Sequence, residues 1–293
     1  MPLGSMVEEL RKAQAGKYAV PSFNTFEMMG FEGSLLAMED TMGPGILGIQ
    51  PAQLNQPGTP AFIGYIRARA EASPVPVSII LDHGTSFEEC MQILSYGATD
   101  VMIDAGKLPL EENIEVTRKV VRAAHEISAG VEAELGFVGH GSDYGDPDFI
   151  RQGFTKPEEA AEFVEKTGVD ALAVAIGSAH GVYKGKPELA LDLLADIRSR
   201  VDVPLVLHGG SGISDDQFRA AIAGGISKIN IFTDLRLAAQ EKMIAAAEAE
   251  EATYFTMFRA PRSAFRERCR HFLDVFGASG KAQAPLPSTN SSS

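Results

Sequence analysis

The feature that most constrains the fold of this chain is an alternation of short apolar segments with amphipathic segments, repeated eight times. The apolar segments have the length of strands, and the stretches between them carry apolar residues at helical spacing. The eight predicted strands are Tyr18–Phe23, Gly45–Gln50, Pro76–Leu81, Thr99–Ile103, Gly130–Leu135, Asp170–Ile176, Val203–Leu207 and Ser227–Phe232. The clearest helical patterns cover Leu110–Glu126, Lys156–Lys166, Pro187–Arg200, Ser214–Ala223 and Thr233–Glu250.

This alternation predicts an α/β fold built on a parallel sheet. The count of eight strands in 293 residues favours a closed (β/α)8 TIM barrel in a single domain. An open doubly wound sheet is the alternative, but that fold usually carries a glycine fingerprint after its first strand, where this chain has PSFNTFEM. We predict a barrel with a C-terminal helical segment over residues 1–280 and a disordered tail over residues 281–293.

Composition excludes several classes of partner. The net charge is −13 and no basic stretch occurs, which argues against nucleic-acid binding. There is no apolar signal core at the N-terminus and no apolar run of membrane-spanning length, so we expect no membrane association and a cytoplasmic location. The two cysteines form no paired motif, as is typical of reduced thiols. A small anion would need local donors or a metal.

Polar side chains recur where the predicted strands end. They are Asn24, Asp82, His83, Asp104, Glu134, His180, His208, Asn230 and Thr233. In a barrel the carboxyl ends of the strands converge on one mouth, which is where catalytic groups lie. Taken alone, the pair Asp82–His83 has a simpler interpretation, in which the aspartate caps the next helix and Gly84 loosens a turn.

Three of the six histidines belong to this set, namely His83, His180 and His208. A single histidine at a strand end is more often a hydrogen-bonded structural residue than a ligand. Three imidazoles on separate strand ends of one barrel instead predict a divalent metal site, with the composition of a catalytic zinc centre. No His-x-His pair occurs, which argues against the metal-dependent barrel hydrolases.

Glycine-rich turns follow the seventh and eighth predicted strands, in HGGSG and INIFTD. Backbone N–H groups at such turns and at helix N-termini bind phosphate without any net positive charge. In TIM barrels the loops after these two strands are the usual phosphate site, although the glycines are also compatible with a simple tight turn. Lys184, in GVYKG, is either a phosphate-binding cation or a surface lysine.

Jointly, these residues resemble the class II, metal-dependent ketose-bisphosphate aldolases, a family that includes fructose- and tagatose-1,6-bisphosphate aldolases. The matching segments are YAVPSFN, LDHG, VMIDAGKLPLEENI, VEAELG, GSAHGVYKG, LHGGSG and KINIFTD. They follow the family's order and spacing from about residue 1 to residue 242. The resemblance implies a (β/α)8 barrel, usually a homodimer or homotetramer, that acts on a sugar phosphate.

The resemblance also implies a role for each matching residue. His83, His180 and His208 match the ligands of the catalytic metal, normally Zn²⁺, and Asp82 matches the acid/base aspartate. Asp104 and Glu134 match carboxylates that hold a second metal position or shift with the catalytic metal, and a monovalent cation is a further candidate. Residues matching the dihydroxyacetone phosphate site are Asn24, Gly181, Lys184, Gly209, Gly210, Ser211, Asn230 and Thr233.

The implied reaction is reversible retro-aldol cleavage of a ketose 1-phosphate or 1,6-bisphosphate to dihydroxyacetone phosphate and an aldehyde. Cleavage leaves an enediolate, whose negative charge a Lewis-acid metal stabilises in the absence of a lysine Schiff base. Asp82 is placed to take the proton of the C4 hydroxyl. Two alternatives are a metal-dependent epimerase or isomerase that uses the same enediolate, and a non-catalytic homologue that binds a sugar phosphate.

Two loops depart from the family pattern. Members usually carry a GG-x-E-D loop after the fifth strand, whereas this chain has GFVGHGSDYGDPD, with Ser142 where the loop acid is expected. Asp143, Asp146 or His140 are the candidate substitutes. After the second strand, Gln50 stands near a position that many members fill with a small hydroxyl residue.

A run of arginines near the C-terminus offers a binding group for a distal phosphate. In relatives, an arginine of this region meets that phosphate, often from a neighbouring subunit. Arg259 and Arg262 are the candidates because they are predicted to precede the last helix. The alternative for any one of these arginines is a solvated helix face.

Overall fold

The computed structural model describes residues 3–143 and 151–282. Within these residues, eight parallel strands close into a barrel in chain order, with the first strand paired to the eighth. The strands are β1 Val20–Asn24, β2 Gly45–Ile49, β3 Val77–Gly84, β4 Asp100–Ile103, β5 Gly130–Leu135, β6 Ala171–Val174, β7 Leu205–Leu207 and β8 Ile226–Ile231. The predicted single-domain TIM barrel is therefore confirmed, and the open sheet is excluded.

The described part of the chain contains eleven α-helices, which surround and extend the barrel. They are α1 Met6–Gly16, α2 Met28–Thr41, α3 Pro51–Leu54, α4 Thr59–Ala72, α5 Phe87–Tyr96, α6 Leu110–His125, α7 Pro157–Thr167, α8 Leu191–Arg200, α9 Asp215–Ala223, α10 Thr233–Glu248 and α11 Tyr254–Val275. Across the described ranges, no helix combines the length and apolar composition needed to cross a membrane.

The strands are buried on both faces, which explains why they are nearly continuous apolar runs in the sequence. His83 is the only residue of the eight described strands that is not classed as buried. Polar strand residues such as Glu132, Lys228 and Asn230 are therefore enclosed by the barrel, and each needs partners inside it.

Helices begin close to the carboxyl ends of the strands because capping residues follow the strands within a few positions. Ser86 caps α5 by accepting a hydrogen bond from the amide of Glu89, and Ser214 caps α9 through the amide of Gln217. The simpler alternative, in which Asp82 caps the helix after β3, is therefore excluded, since Ser86 has that role.

The third strand is longer than predicted, and this changes the position of two site residues. Asp82 and His83 lie within β3, near its end, and do not follow it. The register with β4 shifts between Leu81 and Gly84, as at a β-bulge, and His83 has a left-handed φ of 59°. A non-glycine residue in this region is strained, and such strain concentrates at functional sites. Asn24 is the last residue of β1, and Glu134 and Asn230 are the penultimate residues of β5 and β8.

The last helix is also longer than predicted. Thr253 caps α11 through the amide of Thr256, so the helix starts before Pro261. Arg259 and Arg262 therefore lie inside α11, and the prediction that they precede the helix is wrong. The helix packs against α2 so closely that a Cβ atom on Gly33 would lie 2.4 Å from the carbonyl oxygen of Arg262.

Candidate active site

A cavity of about 350 Å³ opens at the carboxyl ends of the strands. Its lining residues are Asn24, Gln50, Asp82, His83, Asp104, Lys107, Glu134, Phe137, Val138, His140, His180, Gly181, Gly209, Gly210, Ser211, Asn230, Phe232 and Thr233. The fold thus brings almost all of the predicted site residues together. Of the two exceptions, His208 is fully buried directly behind His83, whereas Lys184 is exposed and does not line the cavity.

The three predicted histidine ligands converge. His83, His180 and His208 each offer a ring nitrogen within 4.8 Å of the others. The Nε2 atom of His83 lies 2.9 Å from Nδ1 of His208. The Nε2 atom of His180 is buried and has no hydrogen-bond partner among the described residues. A buried imidazole nitrogen without a hydrogen-bond partner has its lone pair or proton unsatisfied, which suits a metal ligand.

The tautomers of two of these histidines support the same conclusion. The outer nitrogens face carboxylates: His208 Nε2 is 2.8 Å from Glu132 Oε1, and His83 Nδ1 is 2.7 Å from Asp104 Oδ2. Ionised carboxylates only accept hydrogen bonds, so these nitrogens carry the protons. In neutral rings, the nitrogens that face each other then both hold lone pairs, which repel unless a cation lies between them. The donor set therefore fits a divalent metal.

Negative charge around His83 also favours a proton between the facing nitrogens of His83 and His208. Burial lowers the pKa of His83, but the negative charges of Asp82, Glu134 and Asp104 outweigh it and raise the pKa to about 9. Burial and the positive charge of His83 lower the pKa of His180 to about 4 and hold that of His208 well below its usual value. Two of the rings are therefore neutral, and metal and proton compete for the third.

A second possible ligand set shares His83. The ligand atoms of His83, Asp104 and Glu134 also lie within 4.8 Å of one another. Burial and the charge of Asp104 raise the pKa of Glu134 to about 8. The buried Oε2 atom of Glu134 accepts no hydrogen bond from the described residues and lies 3.6 Å from His208 Nδ1. The site therefore offers two overlapping positions for a cation.

Asp82 is held rigidly beside these histidines. Its Oδ2 accepts a hydrogen bond of 2.6 Å from Asn24 Nδ2, and its Oδ1 accepts one of 2.7 Å from Asn230 Nδ2. Burial raises its pKa, but the positive charges of His83 and Lys228 and the hydrogen bond from Asn24 outweigh burial, and the net pKa lies below the usual range. Asp82 is therefore an ionised carboxylate, able to accept a proton at the floor of the cavity.

The position of Asn24 depends on a glycine in the neighbouring strand. A Cβ atom on Gly48 would lie 2.2 Å from the Asn24 side-chain oxygen. Because only glycine leaves this space, Gly48 allows the Asn24 amide to reach Asp82.

Two buried charged residues that were not among the predicted site residues lie beneath the site. Lys228 donates to Glu132 Oε1 at 3.0 Å and to Asn230 Oδ1 at 2.8 Å, and it lies 2.8 Å from Glu132 Oε2. Both charged side chains are fully buried. The sequence signal is a glutamate and a lysine inside otherwise apolar parallel strands, in GVEAEL and ISKINI.

On one side of the cavity, glycine residues leave the backbone uncovered by side chains. Gly209 has a φ of 67°, and a Cβ atom there would lie 2.5 Å from the backbone of Ala179. Ser211 accepts a hydrogen bond of 3.1 Å from the amide of Asp234, at the start of α10. An adjoining cavity of about 280 Å³ is lined by Gly181, Ser211 and Thr233 among others, but not by Lys184. A helix start beside bare backbone is an arrangement that binds anions.

On the opposite side, the loops after β2, β4 and β5 contribute larger side chains. Gln50 lines the cavity. Lys107 and Phe137, which were not predicted site residues, line it too, with the Lys107 ammonium 5.1 Å from the centre of the Phe137 ring. Lys107 is the only lysine or arginine among the described lining residues. β4 lies four strands from β8 around the barrel, so the loop that carries Lys107 lies across the mouth from the loop after β8.

Of the candidate substitutes for the loop acid, His140 lines the cavity. It is held there by backbone pairing with His180, since the amide of Gly141 donates to the His180 carbonyl at 2.6 Å. Ser142 is exposed in the turn Gly141–Asp143, and Asp146 lies outside the described residues.

The C-terminal arginines divide into two groups. Arg266 pairs with Asp40, and Arg268 pairs with Asp234. Arg259 and Arg262 are exposed, form no side-chain ion pair within the described ranges and do not line the cavity.

Comparison with known proteins relates nearly the whole chain to one family. A family model described as fructose-bisphosphate aldolase class-II matches residues 4–281. The fructose-bisphosphate aldolase of Geobacillus stearothermophilus is 39% identical over 289 residues, covering 96% of this chain and 99% of that protein. The protein YdjI of Escherichia coli K12 is 38% identical over 266 residues, covering 91% of this chain and 94% of YdjI.

The fold comparison agrees. The crystal structure of the YdjI aldolase superposes with a TM-score of 0.86 at 36% identity, covering 96% of this chain and 100% of that one. Matches of this extent leave no part of the barrel unassigned. The chain belongs to the class II fructose-bisphosphate aldolase family, whose members are metal-dependent lyases.

Proposed function

We propose that this chain is a zinc-dependent aldolase that reversibly cleaves a ketose 1-phosphate or 1,6-bisphosphate, of the fructose or tagatose type, to dihydroxyacetone phosphate and an aldehyde. The observation that carries the proposal is the convergence of three histidines, two of which line the cavity, beside an ionised, doubly hydrogen-bonded Asp82.

His83, His180 and His208 are the residues that would hold the metal, with Asp104 and Glu134 as ligands of an overlapping position. When bound, the metal supplies Lewis-acid stabilisation of the negative charge that develops on the ketose oxygens. Zinc suits this set because its catalytic sites commonly combine three protein ligands with one open position. A monovalent cation near the carboxylates is an additional candidate.

Asp82 moves the proton in the cleavage step. As the C3–C4 bond breaks, its electron pair stays on C3, in the fragment that becomes dihydroxyacetone phosphate. The C4 hydroxyl loses its proton to a carboxylate oxygen of Asp82 and becomes the aldehyde carbonyl. The amides of Asn24 and Asn230 hold that carboxylate in one orientation, so it needs no rearrangement when it accepts the proton.

The phosphate of the ketose binds at the glycine-rich side. Gly209, Gly210 and Ser211 present their backbone there, and Thr233 begins α10 at the same point. This assignment agrees with the net charge of −13, because backbone donors and a helix start bind phosphate without a basic surface. Lys184 is exposed and would reach this phosphate only through its flexible stem.

The acceptor aldehyde lies toward the loops after β2, β4 and β5. Gln50, Lys107 and His140 are the polar groups in reach, and His140 is the described candidate for moving the C3 proton. We also propose a cytoplasmic homodimer or homotetramer, in which an arginine such as Arg259 or Arg262 of one subunit reaches the site of another. The exposure of both arginines is consistent with this role.

The test is to measure dihydroxyacetone phosphate released from a panel of ketose 1-phosphates and 1,6-bisphosphates by the purified protein, with zinc or with chelator. We expect release that chelator abolishes and added zinc restores, with the best substrate identifying the acceptor. Asp82→Asn serves as the matched inactive variant. Conversion of a ketose phosphate to its epimer without triose release would contradict the proposal.

A further inference from the structure

The buried ion pair between Glu132 and Lys228 has no role in the proposed chemistry. Neither side chain lines the cavity, and both are fully buried within the barrel. Burying a lysine and a glutamate carries a large desolvation cost, and a close-packed apolar pair of similar volume is often at least as stable. A contribution to stability therefore does not account for the pair.

We propose that Glu132 and Lys228 are positioning residues that together set the tautomer of the metal ligand His208 and the orientation of the acid/base group Asp82. Side chains two residues apart on a strand share a face. Glu132 therefore lies directly below Glu134 on β5, and Lys228 lies below Asn230 on β8. The ion pair forms the layer of the barrel interior beneath the active site.

The first step of the network runs through Glu132. Its Oε1 atom lies 2.8 Å from Nε2 of His208, whose other ring nitrogen, Nδ1, faces His83 and the ligand cluster. A histidine binds a metal as a neutral ring. A neutral imidazole has one N–H group, and the carboxylate can only accept it. Glu132 thus keeps the proton on Nε2 and leaves the lone pair of Nδ1 facing His83 and the ligand cluster.

The second step runs through Lys228. An ammonium group only donates, so the 2.8 Å contact with Asn230 must be made by the amide oxygen of the asparagine. The Asn230 NH₂ group is then turned toward Asp82, to which it donates at 2.7 Å. Lys228 therefore sets which end of the Asn230 amide meets the catalytic carboxylate.

Glu132→Leu gives a specific expectation. It removes Glu132 Oε1, the acceptor that faces His208 Nε2. The ring is then no longer held in the Nε2–H tautomer, and the Nδ1–H tautomer, which cannot bind a metal through Nδ1, becomes populated. Loss of such an outer partner typically lowers metal affinity by about 10- to 100-fold, and we expect that loss here.

The double variant Glu132→Gln/Lys228→Met provides the diagnostic result. Without the ammonium group, the glutamine oxygen is free to accept from His208 Nε2, so the native tautomer and most of the zinc affinity return. A purely structural role predicts the opposite, namely that the losses of zinc affinity caused by the two buried substitutions add. This neutral pair also keeps the test available if Glu132→Leu alone does not fold.

The experiment measures zinc affinity by chelator competition and the histidine tautomer by ¹⁵N NMR of the metal-free protein, for the wild type and each variant. Asp100→Asn is the matched control, because Asp100 is a buried carboxylate hydrogen-bonded to Thr99 and to the amide of Gly130 at the other end of the barrel. Native affinity and an Nε2–H tautomer in folded Glu132→Leu, or no recovery in the double variant, would overturn the role of Glu132.

Lys228→Met tests the second step. We expect kcat to fall by about 10-fold or more while KM changes little, because Asn230 no longer holds Asp82 in one orientation. An unchanged kcat would overturn the role of Lys228. The inference rests on the proposed aldolase function, but affinity and tautomer are read without substrate. An inactive enzyme with the expected tautomer switch would therefore refute only the function, and an active enzyme without the switch would refute only the inference.

Discussion

The two halves of the barrel mouth differ in how tightly their side chains are constrained. On the side of the proposed metal and phosphate sites, Asp82 is held by hydrogen bonds from Asn24 and Asn230, and His83 and His208 are held by Asp104 and Glu132. On the acceptor side, Gln50 and Lys107 stand at the ends of loops, and Lys107 is exposed. The first half is typical of chemistry that a family shares, and the second is typical of specificity, because loops vary at low cost to the scaffold.

The largest effect is expected on the constrained side, from Asp82→Asn. Removing the base should lower kcat by about 10²- to 10⁴-fold. Zinc affinity should change far less, because Asp82 is not a ligand in either candidate set. Steady-state cleavage and chelator competition measure the two effects. A kcat within tenfold of wild type would assign the proton transfer to another group.

His180→Ala should separate metal binding from folding. His180 Nε2 has no hydrogen-bond partner within the described chain, so its removal breaks little of the interior network, while zinc affinity should fall by about 100-fold or more with the loss of one of three ligands. His125→Ala is the control, since His125 pairs with Asp170 outside the cavity. Thermal unfolding and zinc titration make the measurement. A large fall in the unfolding temperature of the metal-free variant would contradict the expectation.

The pH dependence of stability should differ between the metal-free and zinc-bound protein. The folded pKa of His83 is raised to about 9 from 6.5, so its proton stabilises the metal-free fold fully below pH 6.5 and that contribution is lost as the pH rises through 9. Glu134, raised to about 8 from 4.5, acts in the same direction.

For His83 the difference corresponds to about 3 kcal/mol in the free energy of unfolding. Zinc should cancel the loss, because a metal competes with the proton and binds better at high pH. Denaturant unfolding from pH 6 to pH 10, with chelator and with zinc, gives the comparison. Parallel pH profiles for the two forms would show that proton and metal do not share this site.

The smallest effect is expected on the acceptor side, from Lys107→Met. We expect kcat/KM to fall by about 3- to 10-fold for substrates with a distal anion, as for loss of one exposed charge contact. Exchange of the C3 proton of dihydroxyacetone phosphate with solvent should not change. Lys119→Met is a matched control, because Lys119 stacks on Phe87 at 4.1 Å outside the cavity. Equal losses in cleavage and exchange would remove the distinction between the two sides.

Much of this architecture could be predicted because strand rhythm and residue order are local properties. The barrel follows from eight apolar segments that alternate with amphipathic ones, and the convergence of histidines follows from parallel strands that all point to one mouth. The positions of the strand ends were predicted less accurately. The chain continues β3 through Asp82 and His83, because pairing with β4 resumes at Gly84 after a register shift that no local pattern reports.

By itself, the sequence determined the fold class, the family and the choice of the three histidines that converge, since each depends on residue type and order along the chain. Only the tertiary structure decided that Lys228 and Glu132 meet beneath the site, that Lys184 is exposed and does not line the cavity, and that Arg259 lies inside a helix. Glu132 and Lys228 are separated by 96 residues, and their pairing depends on strand register and on the direction of each side chain. Such long-range geometry is set by the packing of the whole barrel, which local spacing does not record.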